Sequence, residues 1–598
     1  MATTSKLIRT MSNITKYDAI IIGSGQAGTP LAGAFAKTGQ KTALIERTHI
    51  GGCCINEGCT PTKTMVASGR SAYLARRGQD FGIHTNGTLK RPNEIKVDML
   101  KLRQRKRDIV DSFRQGSENR TKDAGVDIVI GEAKFVDERT IEVKMGDGSE
   151  KRVMGEKIFI NTGARPVPPK LKGLENIDPT KVLDSTSVQE LDVVPAHLVV
   201  IGGGYVGVEF AQLFRRLGAK VTILQRGEQL LQREDKEVAD ALLEILKEDG
   251  LTINLYSSAS SISTSSTGSF DLNVQTEDGE KAINGTHILF AAGRIPNTDA
   301  LNLPAAGITT NARGYIVSND FLETSAKNIY VLGDVKGPPA FTHVSYDDFR
   351  VIKANVLNSS GTSTKLSIKD RLVPYVVYTD PQLGHIGLHE HEARAKYPER
   401  KIKTAKMPMS YVARALETDE SRGMMKAVVD GESGQILGFT CLGIEGGEIM
   451  SIVQMAMIGN GTARRVFRAS TAVTAEGGAR DSSIETRILE ELTNINDDID
   501  DLVRTAFRER LAAERKNEEQ ELKRSPKRKG QQKANEESRP KVQVGNFALE
   551  EDNDSNTASL MLGVNYQPHV NERRNANEQA KFCEANKIDL ATYAVDDA

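Results

Sequence analysis

Tryptophan is absent, aromatic residues make up only 5%, and cysteine occurs 5 times in 598 residues. So few cysteines exclude a disulfide framework. Three of them, Cys53, Cys54 and Cys59, crowd into one short stretch, which points to chemistry rather than to covalent stapling. Net charge is missing too: 79 Lys and Arg against 80 Asp and Glu leave -1. That balance excludes a globally basic nucleic-acid binder and an acidic, wholly disordered chain. No uninterrupted apolar run reaches the ~18 residues of a bilayer span, so no membrane association is expected. Residues 1–16 lack an apolar core and a cleavage pattern, so secretion is not expected and a cytoplasmic location is. What is present is a hydrophobic complement of 38%, ample for real cores, and 52 glycines, many in two tight clusters. The length predicts several domains at about 150 residues each.

Residues 17–462 read as alternating strands and helices. The apolar runs Ala19–Ile22, Leu198–Ile201 and Ile329–Leu332 each end in glycine, and helical patterns such as Val238–Leu246 intervene. This alternation predicts an α/β fold with parallel sheets. The Ser- and Thr-rich stretch 257–268 reads as a loop or hairpin edge. Beyond residue 462 the character changes. Ile488, Leu492, Ile495, Ile499, Leu502 and Ala506 mark an amphipathic helix too short for a coiled coil. Lys523–Lys529 is a basic cluster that reads as a solvated charge run, with nucleic-acid contact the alternative. From Lys533 the polar composition predicts disorder.

The first glycine cluster, Gly23, Gly25 and Gly28, follows a strand, and the next strand, Thr42–Ile45, ends in Glu46. The chemistry of a dinucleotide site needs these parts. Gly23 makes the tight turn, Gly25 admits a pyrophosphate, Gly28 lets helix and strand pack, and Glu46 accepts from ribose hydroxyls. The second cluster, Gly202, Gly204 and Gly207 with Tyr205 between, repeats the unit. Here Gln225 stands at the spacing of Glu46, and Arg226 and Arg233 follow. A neutral residue beside guanidinium groups favours a 2′-phosphate, so NADPH is expected over NADH. Two dinucleotide sites in one chain imply that electrons pass between two cofactors.

Between these features lies Gly51-Gly52-Cys53-Cys54-Ile55-Asn56-Glu57-Gly58-Cys59-Thr60-Pro61-Thr62-Lys63. With both loops in place, the chain resembles the class I pyridine nucleotide–disulfide oxidoreductases, nearest to the mercuric-reductase-like branch and similar to dihydrolipoyl dehydrogenase and glutathione reductase. The resemblance implies FAD in the first site and a redox disulfide between Cys54 and Cys59. It makes Cys54 the interchange thiol and Cys59 the thiol over the flavin. Lys63 is placed near the flavin, and Glu209 is the acid paired with it. Gly163 and Asp334 would contact FAD, as would Ala340, Thr342 and His343 at the start of a helix aimed at the flavin. Tyr205 matches the ring covering the nicotinamide pocket, and Gly293 the return from the NADPH domain. Cys53 replaces the usual Thr and reads as a packed thiol, and Cys441 as core.

The resemblance implies a FAD-binding domain at 15–165 and 290–360, an NADPH-binding domain at 166–289, a partial α+β dimerisation domain at 365–462 and a divergent tail at 463–598. The expected fold is therefore α/β, with two Rossmann-like domains and a largely disordered, partly helical tail. The expected partner is a second copy of the chain, with no metal cofactor. One family feature is lacking: no His-Pro dipeptide occurs, and the only histidine of the tail is His569. In the family that histidine, contributed by the partner subunit, protonates the leaving thiol. A mercuric reductase would also carry a C-terminal vicinal cysteine pair, which this chain lacks. The expected function is NADPH-dependent reduction, through Cys54 and Cys59, of a soft acceptor such as Hg(II) or a small disulfide. The alternatives are reduction of quinones or oxygen from the flavin, or a scaffold with an interaction tail.

Overall fold

The computed structural model describes residues 14–83, 95–265, 268–357 and 365–459. The tail expectations at 463–598 lie outside the described residues.

The strand β1 (Thr15–Ile22) forms because Ile20, Ile21 and Ile22 are buried on both faces, at 0–3% exposure, as a central parallel strand requires. Next come α1 (Gly28–Lys37), β2 (Thr42–Glu46), α2 (Gly52–Asn56), α3 (Cys59–Arg77) and α4 (Met99–Asp123). Then β3 (Asp127–Phe135), β4 (Thr140–Met145) and β5 (Glu150–Ile160) run as an antiparallel meander. β1 lies between β2 and β5, parallel to both, and the distant strand Ile329–Val331 pairs with β5. α1 covers one face through Leu31, Ala32 and Phe35, and the Phe35 and Phe159 rings meet at 5.1 Å.

A second parallel sheet contains β6 (His197–Ile201), followed by α5 (Tyr205–Leu217), β7 (Lys220–Leu224) and α6 (Lys236–Glu248). Thr252–Asn254, His287–Phe290 and Val182–Leu183 complete it. The stretch read as a loop or hairpin edge contains the strand Ser258–Thr264, the outer strand of a three-stranded antiparallel sheet. α3 and α5 touch at Gly69, where a Cβ would come within 2.7 Å of Leu213 Cδ1. That close approach sets residues of the two Rossmann-like units against each other.

The last described unit is a five-stranded antiparallel sheet of Tyr375–Val377, Gln382–Gly387, Ile436–Gly443, Met424–Asp430 and Ile402–Pro408. Cys441 lies within it, fully buried. The helix α7 (Gly446–Ile458) backs this sheet and leaves Ile452, Met455 and Ile458 more than 60% exposed. Asp380 ties the unit to the rest. It accepts from Arg70 of α3 at 2.6 Å and from Arg216 of α5, while Arg70 also reaches Glu420 at 2.7 Å.

Candidate active site

Two turns build the dithiol. Gly51 and Gly52 take φ of +107° and +66°, and a Cβ on Gly52 would sit 2.5 Å from Gly25 Cα. Only glycine allows that approach, which sets α2 against the first dinucleotide loop. Asn56 then closes the turn, donating to the Ile50 and Gly52 carbonyls at 3.1 and 2.9 Å and accepting from Arg114 at 2.7 Å. Cys54 projects from α2, and Cys59 is the first residue of α3. Both are free thiols, Cys59 open to the cleft and Cys54 half-buried. The Thr342 hydroxyl donates to Cys54 Sγ at 3.1 Å and lies 3.3 Å from Cys59 Sγ. The sequence placed Thr342 only in the FAD set. Its contact with both sulfurs joins segments far apart in the chain, so no local signal could reveal it.

The two thiols are electrostatically unlike. A hydrogen bond from Cys54 brings Cys59 down to about 6 against the effect of burial, with Thr342 and the Lys63 charge acting in the same direction. The same bond, together with burial, pushes Cys54 up. One sulfur is therefore a thiolate at neutral pH while its neighbour holds the proton. Burial also raises Cys53, which accepts from Arg294 Nη2 at 3.3 Å. It is half-buried and lines the same cleft, so the structure gives it a guanidinium partner that the reading as a simple packed thiol lacked.

Lys63, one turn into α3, donates to both oxygens of Glu209 on α5 at 3.0 and 2.8 Å. The backbone N–H of Tyr378 also donates to Glu209, at 2.7 Å, and the Tyr378 ring lies 4.8 Å from Lys63 Nζ. Glu209 is 7% exposed at its side chain and Lys63 32%, so the cation sits at the cleft edge on a buried acid.

A cleft of about 340 Å³ joins these groups to the first dinucleotide loop, lined among others by Gly23, Gly25, Cys54, Cys59, Lys63, Gly163, Asp334, Ala340 and Thr342. A smaller cavity continues it past Glu46, Arg47 and Glu132. The shape suits an extended dinucleotide. A Cβ at Gly28 would meet Gly23 O at 2.1 Å, so the N-terminus of α1 packs hard against the β1 turn, where phosphates bind. Glu46 already accepts from Ser24 N and Oγ at 3.0 and 2.6 Å and from Thr48 N at 3.0 Å, and lies where ribose hydroxyls can share its oxygens. Burial raises the carboxyl of Asp334. His343 is the second residue of the helix Thr342–Ile352, as expected; its side chain is exposed and stacks on Phe341 at 5.5 Å. Residues 53–63 and the loops therefore fit FAD.

The second loop repeats the first. A Cβ at Gly207 would meet Gly202 O at 2.0 Å, whereas at Gly204 nothing lies within 4 Å, leaving that space open to a ligand. Gln225 Oε1 accepts from Gly203 N at 3.0 Å, so the neutral replacement for the acid is used to hold the loop. Arg226 and Arg233 are exposed, and neither has an ion pair among the described residues. Gly293 takes φ of +127° beside Val167. Sequence reasoning missed Glu234, buried next to Tyr205 and accepting from its hydroxyl at 3.3 Å.

Two Rossmann-like units, a dithiol in the cleft of the first and an antiparallel dimerisation-type sheet define a dithiol-bearing, two-nucleotide reductase. Residues 17–348 match the family described as pyridine nucleotide-disulphide oxidoreductase, and residues 373–473 match its dimerisation domain. The chain belongs to this family, whose members bind FAD and a pyridine nucleotide. It is 36% identical over 448 residues to the probable pyridine nucleotide-disulfide oxidoreductase RclA of Escherichia coli (strain K12), covering 74% of this chain and 93% of the relative. A mercuric reductase of Bacillus cereus is 35% identical over 443 residues, 74% of this chain and 67% of the relative. The structure of the HOCl-induced flavoprotein disulfide reductase RclA from Escherichia coli superposes with a TM-score of 0.66 at 33% identity, covering 78% of this chain and 98% of that one. The resemblance to the mercuric-reductase branch is thus no stronger than that to RclA. Among the described residues no helix is long and apolar enough to cross a membrane.

Proposed function

We propose that the protein is an FAD-dependent reductase that passes two electrons from NADPH through the Cys54–Cys59 pair to a soft acceptor, Hg(II) or a small disulfide. Bound FAD supplies the group that takes a hydride from the dihydronicotinamide and delivers two electrons to the protein's disulfide. The observation that carries this reading is the unequal dithiol: Cys59 brought to about 6 beside a proton-holding Cys54, with Thr342 touching both sulfurs.

Reduction breaks the Cys54–Cys59 bond and leaves a Cys59 thiolate and a Cys54 thiol. With a disulfide acceptor, Cys54 loses its proton and attacks one sulfur, and the other leaves as a thiolate that takes up a proton. The Cys59 thiolate then attacks the Cys54 sulfur of the mixed disulfide, forming the Cys54–Cys59 bond and expelling the second half of the acceptor as a thiolate that takes up a proton. With Hg(II), the two thiolates bind the soft ion and no leaving thiol needs a proton. Lys63 on its buried Glu209 holds positive charge beside the developing Cys59 thiolate. A positioned acid is worth about 10²- to 10⁴-fold in such protonations, and the sequence has no His-Pro dipeptide to supply one. Hg(II) is therefore favoured over thiol-derived disulfides. Arg226 and Arg233, exposed beside Gln225, support NADPH as the donor.

The test is an acceptor screen with FAD-loaded protein. Hg(II) reduction should exceed disulfide reduction, and both should be lost in Cys54→Ser and in Cys59→Ser. NADPH oxidation by a quinone, which reacts at the flavin, should persist in both variants. If either variant reduces Hg(II) or a disulfide at the wild-type rate, the electrons do not travel through the pair.

A further inference from the structure

Tyr205, Glu234, Tyr375, His385 and His389 form a buried polar cluster that no step of the proposed reaction uses. Glu234 lies just before α6 and is 3% exposed. Its Oε1 accepts from Tyr375 Oη at 2.6 Å and from Tyr205 Oη at 3.3 Å. Its Oε2, equally buried, has no hydrogen-bond partner among the described residues. The three groups come from different places: Tyr205 opens α5, Tyr375 belongs to the dimerisation-type sheet, and Glu234 joins β7 to α6.

Contacts extend to both sides of the cleft. The Tyr205 and Tyr375 rings are 5.6 Å apart, and Tyr375 stacks on Phe341 at 5.4 Å and 7°. Phe341 directly precedes Thr342, whose hydroxyl touches both redox sulfurs. One buried carboxyl thus holds both the ring at the nucleotide loop and the tyrosine that stacks against the thiol side.

We propose that Glu234 is a positioning residue for the nicotinamide site: it tethers the Tyr205 ring across the pocket by a hydrogen bond shared with Tyr375, and protonation of Glu234 releases the ring. The proposal rests on the reading of Tyr205 as the ring that covers this pocket. The charged carboxylate is the better acceptor for two hydroxyl donors. Once it is neutral, the longer 3.3 Å bond to Tyr205 is the weaker and is lost first.

Burial pushes Glu234 up to about 7, opposed by the bonds from Tyr375 and Tyr205 and reinforced by Asp235 and Glu392. The carboxyl is therefore neutral below about 7 and charged above it. The two histidines and the lysine of the cluster hold one state through that range. Burial lowers His389 to about 4 and His385 to about 3, so both are neutral. His385 is further engaged by Thr440 Oγ1 at 2.7 Å and Gly387 O at 3.1 Å, and His389 Nε2 lies 3.1 Å from Tyr375 Oη. Lys426, raised by its bonds to Asp235, Glu237 and Glu390, stays charged, and Arg233 is a fixed cation. His391 lies 3.4 Å from Asp235 at the outer edge.

A tethered ring must be displaced by an entering nicotinamide, so nucleotide binding should weaken as pH rises. The test uses full-length, FAD-bound protein with its dithiol oxidised, so that the thiols do not titrate. Dissociation constants for NADP⁺ and NAD⁺ are measured from about pH 6 to about pH 8.5, a range in which only NADP⁺ carries a titrating phosphate. In the wild type both constants should rise about fivefold, the factor of one hydrogen bond, with an inflection near 7. Glu234→Gln and Tyr205→Phe should bind at the tight, low-pH value throughout, and Glu234→Asp should keep the pH dependence. A wild-type inflection retained in Tyr205→Phe would show that Glu234 does not act through this hydroxyl and would overturn the proposal. Unchanged binding by Tyr205→Ala at every pH would remove the covering role of Tyr205, and the proposal with it.

Discussion

Cys59 and Cys54 differ because one hydrogen bond acts on them in opposite senses, stabilising a thiolate on Cys59 and a proton on Cys54. With FAD bound, the reduced protein should show the long-wavelength absorption of a thiolate lying on a flavin. A lowered thiol is charged above its own pKa, so the band should be full at pH 8 and disappear as pH falls through about 6. Lys63→Met removes a nearby cation and should move that midpoint up; Glu209→Gln removes a nearby anion and should move it down. A pH titration of the band checks all three proteins. The band should be absent in Cys59→Ser and present in Cys54→Ser without added reductant. At this scale the sequence was legible where chemistry is local: the two cysteines and Lys63 sit in one motif. It was silent on Glu234 and on the contact of Thr342 with the two sulfurs, which tertiary packing alone brings about.

Among the elements, α3 and α5 carry the most consequence, because their contact at Gly69 sets Lys63 on Glu209. Their position is held by Asp380, bonded to Arg70 of α3 and Arg216 of α5. Asp380 is 16% exposed at its side chain and Arg216 6%, so removing the anion leaves the buried Arg216 only the longer 3.6 Å contact with Asp249, while Arg70 keeps Glu420. Asp380→Asn should destabilise the protein by about 1.5–3 kcal/mol, the loss of charged hydrogen bonds, read as a drop in the denaturation midpoint. Burial opposes ionisation of Asp380, yet the Arg216 and Arg70 charges and bonds hold its carboxyl below the usual range. Its contribution is thus complete at neutral pH and is lost as pH falls below about 3.9 and through the lowered value, so wild type and variant should converge in acid. β1 and β6 were legible as elements because a strand buried on both faces is a continuous apolar run ending at a glycine turn. The strand Ser258–Thr264 was not fully so. Its composition is Ser, Thr and Ala259 with one buried Ile262, and pairing with Phe270–Thr276 rather than its own pattern makes it a strand.

The whole molecule sets the dithiol in the cleft beside the first dinucleotide loop and repeats that loop in a second unit, and the order of the parts along the chain made that architecture readable. The acceptor was less readable, because specificity depends on what closes the cleft rather than on the motifs within it. Nucleotide choice is a property of the second unit: Gln225→Glu with Arg226→Glu should shift the ratio of kcat/KM from NADPH toward NADH by roughly tenfold or more, since an Arg-phosphate contact is replaced by repulsion. Steady-state rates with both donors check this, and an unchanged ratio would mean that these positions do not read the 2′-phosphate. The exposed Ile452, Met455 and Ile458 on α7 leave an apolar face on the dimerisation domain. The central claim is that Cys54 and Cys59 exchange electrons with bound FAD as one two-electron centre. Anaerobic reductive titration of the FAD-loaded protein tests it most directly. The account predicts that each chain takes up two electrons more than its flavin alone accepts, and that Cys54→Ser and Cys59→Ser both lose this excess. Uptake by the wild type that stops at the capacity of the flavin would contradict it.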